Sequence, residues 1–213
     1  PDHRGPPRPT NRAAKRRGGA PKPGLDGGGG VISADASAEL PQLGELGQFP
    51  LTQTLMGLGA FPMAHPLSLD MLGMHGSYYA NMAVHHSDVL VAVGARFDDR
   101  VTGKVDAFAP NAEIIHIDID PSSISKNIKV GVPIVGDCRR VLAKLVEALR
   151  DELRGGPAAG VHEARQQWAA QIAEWKRDFP FRYEWSDDVV KPQYVMQEIS
   201  NVTGGEAFIV TGV

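Results

Sequence analysis

Short apolar runs alternate with stretches of helical period from about residue 31 onward. Val89–Val93 reads Val-Leu-Val-Ala-Val, apolar at every position, which is the pattern of a strand buried on both faces. Glu113–Ile119 and Val132–Val135 predict two more strands, Phe49–Leu55 a shorter one, and Ala207–Thr211 another near the end. Between them lie helical patterns. Ser33–Leu46 is rich in Ala, Glu and Leu, with Ser33 or Asp35 as N-cap and Pro41 weakening its middle. Tyr78–Ser87 places Tyr79, Met82, Ala83 and His86 on one face. Val141, Leu142, Leu145, Val146 and Leu149 fall at helical spacing behind Asp137, a plausible N-cap. Val161–Arg177 carries Trp168 and Trp175 on one face, and Pro192–Val202 starts a helix with Pro in its first turn. Residues 56–76 are rich in Gly and Met with little period, so loop with short helical turns is expected there. Buried strands alternating with helices predict an α/β fold, a Rossmann-like parallel sheet with flanking helices.

Composition changes this picture mainly at the N-terminus. Of 24 Gly and 16 Pro in the chain, 8 Gly and 6 Pro fall within residues 1–30, which predicts a disordered segment over 1–24. Residues 1–22 carry seven basic residues against Asp2 alone, whereas the remainder is acidic. This basic arm has no aromatic residue to stack on bases, so no nucleic-acid partner is expected. The single cysteine, Cys138, excludes an intrachain disulfide and a Cys-based zinc site, and it fits a reducing compartment. No apolar run approaches the roughly 18 residues of a membrane span, so no membrane association is expected. The chain opens on Pro1 rather than Met and closes on Thr211-Gly212-Val213 straight after an apolar run, so both ends read as cut.

Ligands of open parallel sheets bind outside the carboxyl ends of the strands. There the sequence reads Gly94-Ala95-Arg96-Phe97-Asp98-Asp99-Arg100 after the first buried strand. Gly94 permits close approach of a ligand to the backbone, and Arg96 and Arg100 offer guanidinium groups to a diphosphate, or else pair with Asp98 and Asp99 on the surface. The next strand ends at Asp118, in the range where an acidic residue meets ribose hydroxyls. The third ends in Gly136-Asp137. The three ends together predict a nucleotide site. The run Gly27–Gly30 lacks the spacing of a phosphate loop and follows Pro23-Gly24-Leu25-Asp26, a poor strand, so it reads as a loop. His75, His85, His86 and His116 match no common zinc spacing, and neither a metal site nor a nucleophile–base pair is expected.

Four ordered segments carry a resemblance: Thr54-Leu55-Met56-Gly57-Leu58-Gly59-Ala60-Phe61-Pro62, Met71-Leu72-Gly73-Met74-His75-Gly76, the 94–100 run, and His116-Ile117-Asp118-Ile119-Asp120-Pro121. From about Gly28 to Val213 the chain resembles the large catalytic subunit of the acetolactate synthase (acetohydroxyacid synthase) family. The resemblance implies a thiamine-diphosphate enzyme of branched-chain amino-acid biosynthesis, a transferase with three domains per subunit, of which the middle one binds FAD. It implies that this chain is a fragment: a central FAD-binding domain over 25–154, a linker with a helix over 155–190, and a truncated start of the C-terminal domain over 191–213. It puts FAD against Thr54, Leu55, Met56, Leu72, Gly73, Met74, His75, Gly94, Ala95, Arg96, Asp98, Arg100, Asp118, Ile119, Gly136, Asp137 and Cys138. Thiamine diphosphate and Mg2+, and every catalytic residue, would lie in domains outside this chain. Asp99 and Arg100 match positions near the channel where herbicides block the family.

The implied reaction condenses two pyruvates, or pyruvate and 2-ketobutyrate, to 2-acetolactate or 2-aceto-2-hydroxybutyrate with loss of CO2. Implied partners are the 2-ketoacids, further copies in a homodimer or tetramer, and a regulatory subunit. The Ala-, Arg- and Gly-rich composition points to bacterial cytoplasm rather than plastid. The alternatives are another thiamine-diphosphate enzyme, of pyruvate oxidase or glyoxylate carboligase type, and a stand-alone nucleotide-binding module. The sequence departs from the family at Pro23–Gly27, where an apolar strand is usual, and residues 1–22 look unlike it. The expectation is therefore that the first strand and the contact of Gly28–Gly30 with FAD are lost.

Overall fold

The computed structural model describes residues 10, 13, 19–154 and 160–210. They fall into two units, divided between Phe179 and Pro180. In the first, β1 (Pro23–Gly27) leads through a glycine turn into α1 (Gly29–Ser33) and α2 (Glu39–Gly47). Then come β2 (Leu51–Gln53), a 3-10 turn (Leu55–Gly57), β3 (Ser68–Met71), α3 (Tyr78–His86), β4 (Val89–Val93) and the one-turn α4 (Asp99–Thr102). β5 (Glu113–Asp118), β6 (Val132–Val135), α5 (Cys138–Arg154) and α6 (Val161–Asp178) complete it.

The six strands form one sheet in the order β3-β2-β1-β4-β5-β6, and every pair is parallel. This is the doubly wound order, with its switch point between β1 and β4. β4, apolar throughout, is buried at all five positions. One sheet face packs Leu25, Val91, Val93, Ile115, Ile117 and Ile134 against the apolar faces of α2 and α5. The other packs Leu90, Ala92 and Ile114 against Tyr79, Ala80 and Ala83 of α3 and Trp168 and Ile172 of α6. The α/β fold expected from the sequence is the fold observed.

β1 corrects the expectation of a lost first strand. Pro-Gly-Leu-Asp-Gly has poor strand propensity, yet it is flanked on both sides by parallel ladders, Leu25 opposite Leu51 and Val91. Lys22 fixes the entry: its N–H donates to the Asp88 carboxylate at 3.0 Å and its carbonyl accepts from Asp88 N at 3.1 Å. Two neighbours and a buried position outweigh propensity here. Ala13 and Ala20, expected in a disordered stretch, are buried in the α2–α5 core. Most of residues 1–18, part of that expected stretch, lie outside the described residues, as do 155–159 and 211–213.

Other differences are local. The expected helix over Ser33–Leu46 is two helices, and Pro41 falls in the first turn of α2, where its missing N–H has no partner to lose. β3 lies within the stretch expected to be loop. Ala207–Val210 has no regular structure. Asp137 does cap α5, accepting from Arg140 N at 3.0 Å.

α6 donates to carbonyls at and just before the amino ends of β1, β2 and β3. Arg165 reaches Ala20 O at 3.0 Å and Gly47 O at 3.2 Å, and its guanidinium lies over the Phe49 ring. Trp168 Nε1 donates to Pro23 O at 3.3 Å. Lys176 Nζ donates to Pro66 O at 3.2 Å and also to Ser68 O. In the second unit, α7 (Pro192–Thr203) has Pro at its start and Gly204 in the left-handed region at its end. Tyr183 donates to Gln197 at 2.8 Å, and Trp185 packs edge-on to Tyr194.

Asp26 is the costly residue of β1. It has no exposed surface, and neither carboxylate oxygen has a hydrogen-bond partner among the described residues. Burial first, and the charge of Asp98 second, push its pKa from 3.8 up to about 7. Between those values the folded state holds a proton that the unfolded state has released, so stability falls as pH rises through this window. The linked cost is on the order of 4 kcal/mol. Asp26→Leu is therefore expected to raise the urea midpoint more at pH 8 than at pH 5. Equal gains at both pH values would contradict the buried-acid account.

Candidate functional site: a cavity at the strand switch point

A cavity of about 1100 Å³ opens at the carboxyl ends of the strands, beside the point where β1 and β4 diverge. Its floor is bare backbone. Gly28 N donates to Val93 O at 2.9 Å and Gly30 N to Gly94 O at 3.0 Å, so the turn after β1 lies directly on the end of β4. A Cβ on Gly28 would sit 2.2 Å from the Gly94 carbonyl oxygen, and one on Gly30 2.6 Å from Gly94 Cα. Gly94 itself has φ of 60°, in the left-handed region. The glycine run, read as a loop, thus serves a close approach of two backbones.

The lining comes from five strand ends, of which that of β1 supplies the floor. After β2, Thr54 N donates to Gly27 O at 3.0 Å, and Leu55 and Met56 stand largely exposed at the mouth. Gln53 holds this turn by exchanging hydrogen bonds with the Phe61 backbone, at 3.0 and 3.2 Å. After β3, Met71, Leu72 and His75 line the cavity. The intervening Gly73 is clamped by Asn81, which accepts from its N–H at 2.8 Å and donates to its carbonyl at 3.0 Å. Met74 N donates to Arg100 O at 2.8 Å, tying this wall to α4. The wall after β4 is Gly94–Asp98 together with Arg100 and Val101. β5 contributes Asp118, whose carboxylate accepts from Asp120 N at 2.9 Å.

The charges are mixed. Arg96 pairs with Asp98 at 3.4 Å, an exposed contact of little energetic weight, so part of the surface-pairing alternative holds. Arg100 meets the Met74 sulfur at 3.6 Å, and among the described residues it has no carboxylate within ion-pair distance. Its charge is free for an anion. The described residues contain no cluster of His, Cys, Asp and Glu fit to hold a metal ion.

Of the residues singled out from the sequence, Thr54, Leu55, Met56, Leu72, His75, Gly94, Ala95, Arg96, Asp98, Arg100 and Asp118 line this one cavity. Gly73 and Met74 stand behind them as braces. Ile119 is half exposed outside the lining, and Gly136, Asp137 and Cys138 are not brought to it. Asp137 is engaged in capping α5. Cys138 is buried in the core, where burial, then Asp118 and Asp137, push its thiol up to about 12, so it is an inert thiol. Gly29 and Gly30, whose contact was expected to be lost, line the cavity after all, and Ile32, Ser33, Met71, Phe97 and Val101 line it unannounced. The glycine run was the available signal for the first four, masked by the weak strand before it.

The family model for the thiamine pyrophosphate enzyme central domain matches residues 10–145. Among curated relatives, the acetolactate synthase large subunit of Buchnera aphidicola subsp. Schizaphis graminum is 43% identical over 91% of this chain and 33% of its own length. The acetolactate synthase isozyme 3 large subunit of Escherichia coli K12 is 41% identical over 95% of this chain and 34% of its own. The acetolactate synthase large subunit of Corynebacterium glutamicum is 45% identical over 97% of this chain and 32% of its own. The chain spans about a third of the length of these relatives. The likeness also begins well before Gly28, where the sequence motifs alone had placed it, since the family match starts at Thr10.

The floor can be tested directly. Gly94→Ala adds a Cβ 2.5 Å from Gly30 Cα at a left-handed residue, whereas Gly103, at φ of 55°, has open space around its Cβ position. Gly103→Ala is expected to cost about 1 kcal/mol and Gly94→Ala on the order of 3 kcal/mol in urea unfolding. Equal costs would show that the two backbones do not need to touch.

Proposed function

The chain belongs to the thiamine pyrophosphate enzyme central-domain family, and we propose that it is the FAD-binding central domain of an acetolactate synthase large subunit. The observation that carries this reading is the glycine-floored cavity at the switch point, lined by eleven of the residues that the family resemblance assigns to FAD. At about 1100 Å³ it matches the upper range of small-molecule sites, as an extended dinucleotide requires. The residues fit that ligand chemically. Gly29, Gly30 and Gly94 let a diphosphate approach the backbone, and Arg96 and Arg100 supply positive charge. Leu55, Met56, Met71, Leu72 and Phe97 offer apolar surface to a flat ring, and Asp118 an acceptor for hydroxyls.

The proposed overall reaction joins two 2-ketoacids with loss of CO2: two pyruvates give 2-acetolactate, and pyruvate with 2-ketobutyrate gives 2-aceto-2-hydroxybutyrate. Carbon and electrons balance without an oxidant, so FAD contributes bulk and fixed geometry rather than redox turnover. Thiamine diphosphate, Mg2+ and the catalytic groups belong in this reading to the remaining two thirds of the longer chain. Residues 25–154 form the cofactor domain, 155–190 a linker and 191–213 the start of the following domain. The words "large subunit" in the relatives' names support a smaller regulatory partner. The same names favour this reading over a pyruvate oxidase or a glyoxylate carboligase. No helix among the described residues is long and apolar enough to cross a membrane.

Titrating the purified chain with FAD should give saturable quenching of flavin fluorescence at one site. Arg100→Ala should weaken binding about tenfold. A folded chain that leaves flavin fluorescence unchanged would overturn the cofactor assignment. Assay of the full-length gene product for acetolactate, acetyl phosphate and tartronate semialdehyde tests the reaction, and only the first is expected.

A further inference from the structure

The cavity wall Gly94–Asp98 has an unusual asymmetry in its hydrogen bonding. All four carbonyls from Gly94 to Phe97 are engaged from the protein side. Gly30 N donates to Gly94 O at 3.0 Å. His116 Nε2 donates to Ala95 O at 2.8 Å. Asn127 Nδ2 donates to Arg96 O at 3.1 Å and to Phe97 O at 2.9 Å. The backbone N–H groups of Ala95, Arg96, Phe97 and Asp98, in contrast, have no hydrogen bond to any described residue. Gly94 and Phe97, at φ of 60° and 54°, both sit in the left-handed region. A loop so arranged has satisfied acceptors behind it and unsatisfied donors left over, which is the polarity of an anion-binding nest.

The two side chains that impose this polarity come from separate elements, His116 from the middle of β5 and Asn127 from the connection between β5 and β6. His116 has no exposed surface, and its ring meets Phe97 edge-on at 5.0 Å. Because the Ala95 carbonyl can only accept, the proton is on Nε2. Nδ1 is buried without a partner among the described residues. Among the described residues the Asp118 carboxylate lies nearest the ring, at 3.9 Å from Nε2. Burial outweighs both that charge and the Ala95 bond and holds the pKa below the ordinary imidazole value. The ring is therefore a neutral, fixed donor. Neither residue lines the large cavity.

We propose that His116 and Asn127 are positioning residues for the cavity: they hold the carbonyls of residues 95–97 against the protein, so that the loop presents only N–H groups to an anionic ligand of the diphosphate class. That the diphosphate is part of FAD rests on the functional reading above. The positioning itself rests on the hydrogen bonds of the loop alone.

The test compares FAD, ADP and riboflavin, which lacks phosphate, on the 213-residue chain and on His116→Phe, His116→Gln and Asn127→Ala. His116→Phe and Asn127→Ala should each weaken FAD and ADP about tenfold and leave riboflavin, bound weakly or not at all, unchanged. His116→Gln, which returns a donor at the place of Nε2, should recover affinity to within about threefold of the parent. A merely structural role predicts equal losses for riboflavin and no rescue by Gln, and either result overturns the proposal. Should His116→Phe fail to fold, Asn127→Ala decides, because Asn127 is exposed. If the chain binds ADP with this dependence but not FAD, positioning stands and the flavin reading falls. If it binds neither, both fall.

Discussion

Two chain segments that carry no side chains touch at the centre of this domain, and the rest of its architecture follows from that contact. The turn after β1 rests on the end of β4 through Gly28, Gly30 and Gly94, with hydrogen bonds of 2.9 and 3.0 Å across the join. Any Cβ here would fall within 2.2–2.6 Å of opposing backbone. The join fixes β1 beside β4 at the place where strand order reverses. It sends α1 to one side and the 94–98 loop to the other, and the space between them is the cavity. At this floor a phosphate would meet peptide groups, while side chains line the walls around it.

Around this join the domain tolerates a poor strand. β1 has two glycines, a proline and a buried acid among its five residues, and Asp26 alone imposes a penalty of several kcal/mol at neutral pH. What offsets it is position. β1 lies between two parallel partners, Leu25 has no exposed surface, and Leu40 and Leu90 fill the space that side chains at Gly27 and Gly24 would occupy. A central strand is the place where neighbours can do most to compensate for weak local preference.

That same weakness decided what could be read from the chain. β4, β5, β6 and α5 were legible because their apolar positions follow one period without interruption. The strand-end rule pointed to the run after β4 and to Asp118, and of these Gly94–Asp98, Arg100 and Asp118 line the cavity. β1 was not legible, since its strandness resides in ladders made by residues far away in sequence. β3 was missed because Ser-Leu-Asp-Met has neither alternation nor length. Pro41 misled because its cost depends on whether it falls at the first turn or the middle of a helix, and the start of α2 could not be placed. Gly136 and Asp137 were expected at the site by the same strand-end rule and Cys138 by resemblance, but here that strand end turns directly into α5, whose capping and core packing take up Asp137 and Cys138. Phe97 became a lining residue through a left-handed backbone that no periodicity announces.

The bonds from α6 have a mechanical consequence. Arg165, Trp168 and Lys176 grip carbonyls at or near the amino ends of β1 and β3. The cavity lies at the opposite edge of the sheet, a strand length away, about 17 Å for five residues. A pull transmitted through the chain beyond α6 enters the sheet at the edge away from the cavity. The hydrogen-bonded ladders then share the load along their whole length before it reaches the glycine join. The domain is thus built like a cup lifted by its base, and the cavity is the last part to be disturbed.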